Sequence, residues 1–226
     1  MKKRVALSWS GGKDSCLALD LLMKQGIEVV CLLTTVPTEM GRTFGHGEKV
    51  ELVKLQSEAL AIPAEFISCT FEDYTDSFAN MLRTYKEQYK LDGIAFGDLY
   101  LDGHREWGEK LAKEVGIAPI YPLWGKKEDA LLALKTFIQS GYKATVIRIR
   151  EDVLEEEWLG RQLDSSFIDD IVNKDCCPMG ESGEYHTFVS DGPLFKWKIE
   201  LGDPEIIEFE TIKKYEFKQY AIIPKE

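Results

Sequence analysis

The hexapeptide Ser10-Gly11-Gly12-Lys13-Asp14-Ser15 follows a short apolar run and opens a helical pattern. Two glycines without Cβ let the backbone turn tightly and approach a ligand, and the free N–H groups and positive dipole end of the following helix favour an anion. Lys13 adds a point charge and the Ser10 and Ser15 hydroxyls add donors, so the chemistry supported is a grip on a di- or triphosphate. The segment is not a Walker loop, because Leu7 and Asp14 stand where that pattern has Gly and Ser or Thr. Asp14 beside a phosphate makes electrostatic sense when a cation bridges the two negative groups, which implies Mg2+ with Asp14 as its ligand.

Such a loop must be presented by a strand and a helix, and the surrounding pattern provides both. Arg4 to Trp9 reads as a strand, Ser15 to Gln25 as a helix closed by Gly26, and Ile27 to Val36 as a continuous apolar strand buried on both faces. A polar, Gly-rich loop from Pro37 to Gly47 follows, then a helix from Glu48 to Ala61 and a strand from Glu65 to Cys69. Phe78, Leu82, Tyr85 and Tyr89 recur at helical spacing within Glu72 to Tyr89, Gly93 to Phe96 is a short strand, and a helix from about His104 leads to a strand around Ile117 to Tyr121. The repeated βα order predicts an α/β fold with a doubly wound parallel sheet, whose ligands sit at the carboxyl ends of the strands. After about Leu123 the texture changes. Lys126 to Gln139 reads as a helix, Lys143 to Arg150 as a strand and Glu151 to Lys174 as acidic and helical. Antiparallel strands are expected at Tyr185–Val189, Leu194–Leu201, Ile206–Thr211 and Lys214–Ile223, with turns at Asp191-Gly192-Pro193 and Gly202-Asp203-Pro204.

Composition limits the partners. The 226 residues make about one and a half domains by length, and 44% hydrophobic residues can fill a core. With 28 basic against 39 acidic residues the net charge is -11, the wrong sign for bulk nucleic-acid binding. The longest apolar stretch, Ile27 to Val36, contains Glu28 and two threonines and is too short to span a bilayer. The basic start, Met1 to Arg4, runs into Ser8 and Ser10 without a signal-peptide core, so no membrane association and a cytoplasmic address are expected. Cys16, Cys31, Cys69, Cys176 and Cys177 contain no C-x-x-C pair and read as free thiols, Cys16 as a small packed residue.

Ser10 to Ser15 matches the S-G-G-x-D-S signature of the PP-loop ATP pyrophosphatases, and within that superfamily the chain resembles the diphthine-ammonia ligase group. The resemblance rests on Ser10 to Cys16, on Gly97-Asp98-Leu99 followed by Arg105 and Glu109, on Tyr121-Pro122-Leu123-Trp124, and on Gly180 to Phe188. It implies a Rossmann-like nucleotide-binding domain of the PP-loop (HUP) type over residues 1–123 and a smaller C-terminal α+β domain over 124–226 that carries the acceptor pocket. It also implies cleavage of ATP to AMP and pyrophosphate, with adenylation of a carboxylate for amidation by ammonia. Ser182 stands where the group has Gly and His186 where it has Glu. Related bacterial proteins carry the His form, and some of those are associated with corrinoid salvage rather than with elongation factor 2. The implied partners are therefore ATP, ammonium and either diphthine-bearing elongation factor 2 or a small carboxylate such as a corrinoid side chain.

Nucleotide contacts are expected from Ser10, Gly11, Gly12, Lys13, Asp14, Ser15, Thr34, Gly97 and His46. Thr34 and Thr35 end the second strand near an adenine edge, and His46 lies in a loop placed to cover a nucleotide. The catalytic set expected is Lys13, Asp14, Asp98, Arg105, Glu181, Glu184 and His186. Asp98 can hold Mg2+ or ammonia, and Arg105 can offset charge on departing pyrophosphate, with Glu109 one helical turn on as its pair. Glu181 and Glu184 flank Gly183 before a strand that carries His186, and such groups can bind metal, orient an amine or take its proton. A solvated turn and an ordinary helix cap fit the same positions. Trp124, Trp158 and Trp197 read as core or interdomain residues. A nucleotide-binding sensor without turnover and a transfer-RNA-modifying enzyme are the competing readings, and homodimerisation is left open.

Overall fold

Val5, Ala6 and Leu7 are completely buried in β1 (Arg4–Ser8), and Cys31, Leu32 and Leu33 are equally enclosed in β2 (Glu28–Pro37). Runs of this kind, apolar on both faces, belong at the centre of a parallel sheet. A computed structural model describes residues 2–38, 41–209 and 211–225 and places them there. The remaining strands of this sheet are β3 (Ala64–Cys69), β4 (Gly93–Ala95) and β5 (Ala118–Ile120), in the order β3-β2-β1-β4-β5 with every pair parallel. The helices α1 (Lys13–Lys24), α2 (Val50–Leu60), α3 (Tyr74–Tyr89) and α4 (Asp102–Val115) connect them. The strand order reverses between β1 and β4, the point of a Rossmann-like sheet where neighbouring connections part and leave a crevice. Phe78 and Leu82 of α3 and Leu111 and Ala112 of α4 pack with Ala6, Leu33 and Ile94 in one core. The helical spacing of the α3 aromatics is thus the spacing of their burial. Gly116 ends α4 in the left-handed region at φ 72°, returning its N–H to the carbonyls of Ala112 and Lys113.

The chain forms two compact units: Met1–Ser10 with Asp14–Trp124, and Gly11–Lys13 with Gly125–Glu226. The second unit contains α5 (Ala130–Gln139), β6 (Lys143–Arg150), α6 (Ser165–Ile171), β7 (Tyr185–Asp191), β8 (Trp197–Phe209) and β9 (Ile212–Pro224). Its sheet is antiparallel in the order β7-β6-β9-β8. Two expectations are corrected here. Glu151 to Lys174 is not continuously helical: only a 3-10 turn at Glu156–Trp158 and α6 are helical. β9 pairs only with Arg148 to Arg150 of β6, so the backbone of 160–163 satisfies the earlier half of that edge, Val146 N–H donating to Arg161 O at 2.9 Å and Leu163 N–H to Ala144 O at 3.0 Å. Gly202-Asp203-Pro204 is not a turn between strands. It lies inside β8 with Gly202 opposite Gln219 and Pro204 opposite Phe217. β8 is an edge strand, where the N–H that proline lacks is not needed by a neighbour, and Asp203 takes up the bend at φ 50°. Trp158 is buried as expected, whereas Trp197 is 45% exposed. Among the described residues no helix is long and apolar enough to cross a membrane.

Candidate active site

Of the loop after β1, Ser10, Asp14 and Ser15 belong to the N-terminal unit and Gly11–Lys13 to the C-terminal one, and each part has its own bonds. In the N-terminal unit Trp9 anchors the start. Its N–H donates to Leu33 O at 2.8 Å, its indole Nε1–H to Gln56 Oε1 at 3.0 Å, and its carbonyl accepts the Thr34 hydroxyl at 2.8 Å. Gln56 is fully buried and Thr34 nearly so. The Thr34 side chain is therefore engaged in holding β2 to the loop, and the Thr35 hydroxyl lies 3.5 Å from Tyr74 Oη. Ser10 Oγ and Ser15 Oγ stand 3.4 Å apart, and Asp14 occupies the first turn of α1. Across the crevice Gly97 follows β4. A Cβ there would lie 3.2 Å from Asp14 C and Ser15 N, so this close approach of two backbones leaves little room for a side chain.

In the C-terminal unit β7 holds the middle of the loop. Gly11 turns it at φ 79°, and its carbonyl accepts the Val189 N–H at 3.0 Å. Lys13 N–H donates to Thr187 Oγ1 at 3.0 Å, and Lys13, 2% exposed, brings its ammonium to 4.6 Å from the centre of the Tyr185 ring. Thr187 was not among the residues expected in the site; its sole signal is its position in the Gly180 to Phe188 motif.

The expected carboxylates do different work. Glu184, 7% exposed, accepts from Cys177 N–H at 3.1 Å through Oε1 and from Ser182 N–H at 2.8 Å through Oε2, closing the loop before β7 on itself. Gly180 at φ 62° and the Tyr185 hydroxyl, donating to Pro178 O at 2.6 Å, complete that loop. Glu181 and His186 are half-buried. His186 pairs across the strands with Arg148, which pairs in turn with Lys214, so three basic side chains share one row of the sheet. Burial pulls the Arg148 guanidinium below its usual value.

Beyond Gly97, Asp98 Oδ1 lies 2.9 Å from His104 Nδ1 at the start of α4. Both residues line a cavity of about 410 Å3 with Ser8, Tyr74, Phe96 and Trp107. His104, Tyr74 and Trp107 were not anticipated; the one available signal is that Trp107 follows His104 at helical spacing. Arg105 is paired with Glu109 as the spacing predicts, Nε to Oε1 at 2.7 Å, and its guanidinium stacks 4.8 Å from Trp124 and 5.7 Å from Tyr121. His46 lies in a turn fastened to β2 by Phe44 N–H donating to Thr35 O at 3.1 Å, and its own N–H donates to Phe44 O at 2.8 Å. Residues 39 and 40 of the preceding loop lie outside the described residues.

The Cys16 thiol shows how local and tertiary effects compete. A helix N-terminus lowers a thiol pKa, yet complete burial and the charge of Asp14 push this one well above its usual value.

Comparison with known proteins agrees with this architecture. The model of the diphthamide synthase N-terminal domain matches residues 2–119, and that of the C-terminal domain matches residues 129–223. The chain is 28% identical to the diphthine--ammonia ligase of Homo sapiens, over 90% of this chain and 85% of that protein. It is 28% identical to that of Danio rerio over 88% and 86%. The relative from Schizosaccharomyces pombe is 29% identical over 88% of this chain but 36% of its own length. Both halves of this chain, the parallel sheet with its glycine loop and the antiparallel sheet with the Gly180 motif, thus belong to the diphthamide synthase family.

Proposed function

We propose that this protein is an ATP-dependent ligase of diphthamide synthesis, acting in the cytoplasm and joining ammonia to the carboxylate of a diphthine-bearing protein. The observation that carries the reading is the Ser10–Ser15 loop, positioned at the reversal of strand order with its glycine turn, its lysine and the start of α1 together. The diphthine--ammonia ligase names of the relatives support the acceptor and the nitrogen source.

ATP phosphates lie against the amides of Gly11 to Ser15. Lys13, held at its backbone by Thr187, stabilises the charge that leaves with pyrophosphate. The acceptor carboxylate attacks the α-phosphorus, the α–β bond breaks, and an acyl adenylate forms. Ammonia then attacks the acyl carbon and AMP departs with the electrons of the mixed-anhydride bond. Asp98 or His186 takes the proton that the amine gives up, and Arg105 offsets charge on the leaving group. Glu184 positions the loop that carries Glu181. Asp14, a half-exposed oxygen donor beside the phosphate-binding amides, has the donor chemistry Mg2+ prefers and would hold it. When bound, the ion neutralises phosphate charge.

The test follows α-labelled ATP with ammonium and diphthine-bearing elongation factor 2. AMP release is expected, and its loss in Lys13→Ala with the fold intact; ADP in place of AMP, or full activity in that variant, refutes the mechanism. A second reading, amidation of a small carboxylate, is favoured by the basic row that His186 forms with Arg148 and Lys214. AMP release with a corrinoid acid alone would select it.

A further inference from the structure

The cavity beside Asp98 is lined by three aromatic rings together with Ser8, Gly103, Asp98 and His104. Tyr74 opens α3, Phe96 follows β4 and Trp107 lies on α4, and all three rings line it. Trp107 meets the other two, Tyr74 at 5.7 Å and Phe96 at 6.0 Å between centroids. Their positions are fixed by neighbours: Trp107 Nε1–H donates to Thr75 Oγ1 at 3.0 Å, and Trp107 also meets Phe78 edge-on at 5.5 Å. Asp98 is the carboxylate among the residues that line the cavity.

Aromatic faces carry negative potential, and a carboxylate beside them adds net charge, so the cavity attracts a cation. A primary ammonium asks for three acceptors and Mg2+ for a shell of oxygens. The wall offers three rings, the Ser8 hydroxyl and the Asp98 carboxylate, whose Oδ1 already lies 2.9 Å from His104 Nδ1, so it presents more aromatic face than free acceptor. A quaternary ammonium needs no hydrogen bond and matches both the rings and the counter-ion.

We propose that this cavity binds a trimethylammonium group of the acceptor, with Tyr74, Phe96 and Trp107 as its cage and Asp98 as its counter-ion. The proposal rests on the ligase reading and deepens it. By its covalent structure diphthine carries a trimethylammonium and a carboxylate on the same carbon, so a cage for the first must adjoin the reaction centre of the second. The cavity meets that requirement within the N-terminal unit. Ser8 in its wall is two residues before Ser10, and Gly97, between Phe96 and Asp98, lies against the backbone of Asp14 and Ser15. An acceptor with no cation beside its carboxylate would leave the cage without use.

The test is calorimetric titration of the full chain with 2-(trimethylammonio)butanoate and with its isostere carrying a tert-butyl group in place of the trimethylammonium. The wild type is expected to bind the cation at least tenfold more tightly. Trp107→Phe keeps that preference, whereas Trp107→Leu and Asp98→Asn bring the two probes to within threefold. Equal binding of both probes by the wild type, or an undiminished preference in Trp107→Leu and Asp98→Asn, overturns the cage. So does competition by adenosine with Trp107→Leu weakening adenosine alone, which would mean that the rings stack a nucleobase. Circular dichroism of each variant separates loss of fold from loss of site. The AMP assay on the same preparations separates the two readings. Cation preference without AMP release from any acceptor keeps the cage and removes the ligase; AMP release with diphthine and no cation preference does the reverse.

Discussion

Glu184→Gln exchanges one oxygen for an amino group in a side chain that is 7% exposed, and its cost follows from two hydrogen bonds. Oε1 accepts from Cys177 N–H at 3.1 Å and Oε2 from Ser182 N–H at 2.8 Å. Bonds to an ionised acceptor contribute about 1.5–3 kcal/mol each, and neutral ones about 1 kcal/mol. In the variant the amide oxygen keeps one bond at the neutral value. The amino group then faces an N–H donor, so the second bond is lost and that donor has no acceptor inside the loop. The sum is a destabilisation of roughly 2–5 kcal/mol, with Glu184→Ala costing more because both donors are stranded. Urea unfolding reads this directly. With a slope of about 2 kcal/mol per molar, the midpoint falls by about 1–2.5 M for Glu184→Gln and further for Glu184→Ala. AMP production by the folded fraction in the cold stays within about tenfold of wild type, because the carboxylate acts through the loop. A midpoint shift below about 0.3 M together with a loss of activity near a thousandfold would refute the reasoning and return Glu184 to direct work on the substrate.

Thr187→Val removes the acceptor of the Lys13 N–H and costs about 1–3 kcal/mol; KM for ATP should rise by about 5- to 100-fold with Thr187→Ser restoring it, and an unchanged KM would show that β7 does not hold the loop. Gly97→Ala places a Cβ 3.2 Å from the backbone of Asp14 and Ser15, so a loss of about 1–3 kcal/mol and a Tm lower by roughly 2–12 °C are expected; a neutral effect would contradict the close approach. Burial pushes Cys31 to about 12 and Cys176 to about 11. Their thiols therefore stay protonated at pH 8, and iodoacetamide should label Cys31 on the order of a thousandfold more slowly than free cysteine, with half-exposed Cys176 modified first. Since an unfolded thiol ionises near 8.5, the stability held by the raised native value is complete below that pH. It declines as pH rises from there towards 12, and Cys31→Ala should flatten the slope.

The hexapeptide and the strand and helix that present it are legible because their signals are local. Glycines, a lysine and a helix start stand side by side, and the apolar continuity of Ile27 to Val36 translates directly into a strand buried on both faces. The Arg105–Glu109 pair is likewise a property of one helix. Reading failed where backbone partners came from elsewhere. Glu151 to Lys174 has a helical composition, but β6 leaves an edge that 160–163 pairs with, and Gly202-Asp203-Pro204 looks like a turn until an edge strand carries it through.

The amino-acid order by itself determined which residues could grip a phosphate and that they sit between a strand and a helix, because φ/ψ preference and periodicity act over a few residues. Tertiary structure alone decided what each charged group does there. Glu184 became a clamp because two N–H groups of its own loop converge on it, and Lys13 was set by a threonine far along the chain. Tyr74, Phe96 and Trp107 became one wall because helix crossovers bring α3 and α4 to the point where the strand order reverses. No local pattern encodes such convergence; it arises when elements distant in the chain bury their apolar faces together.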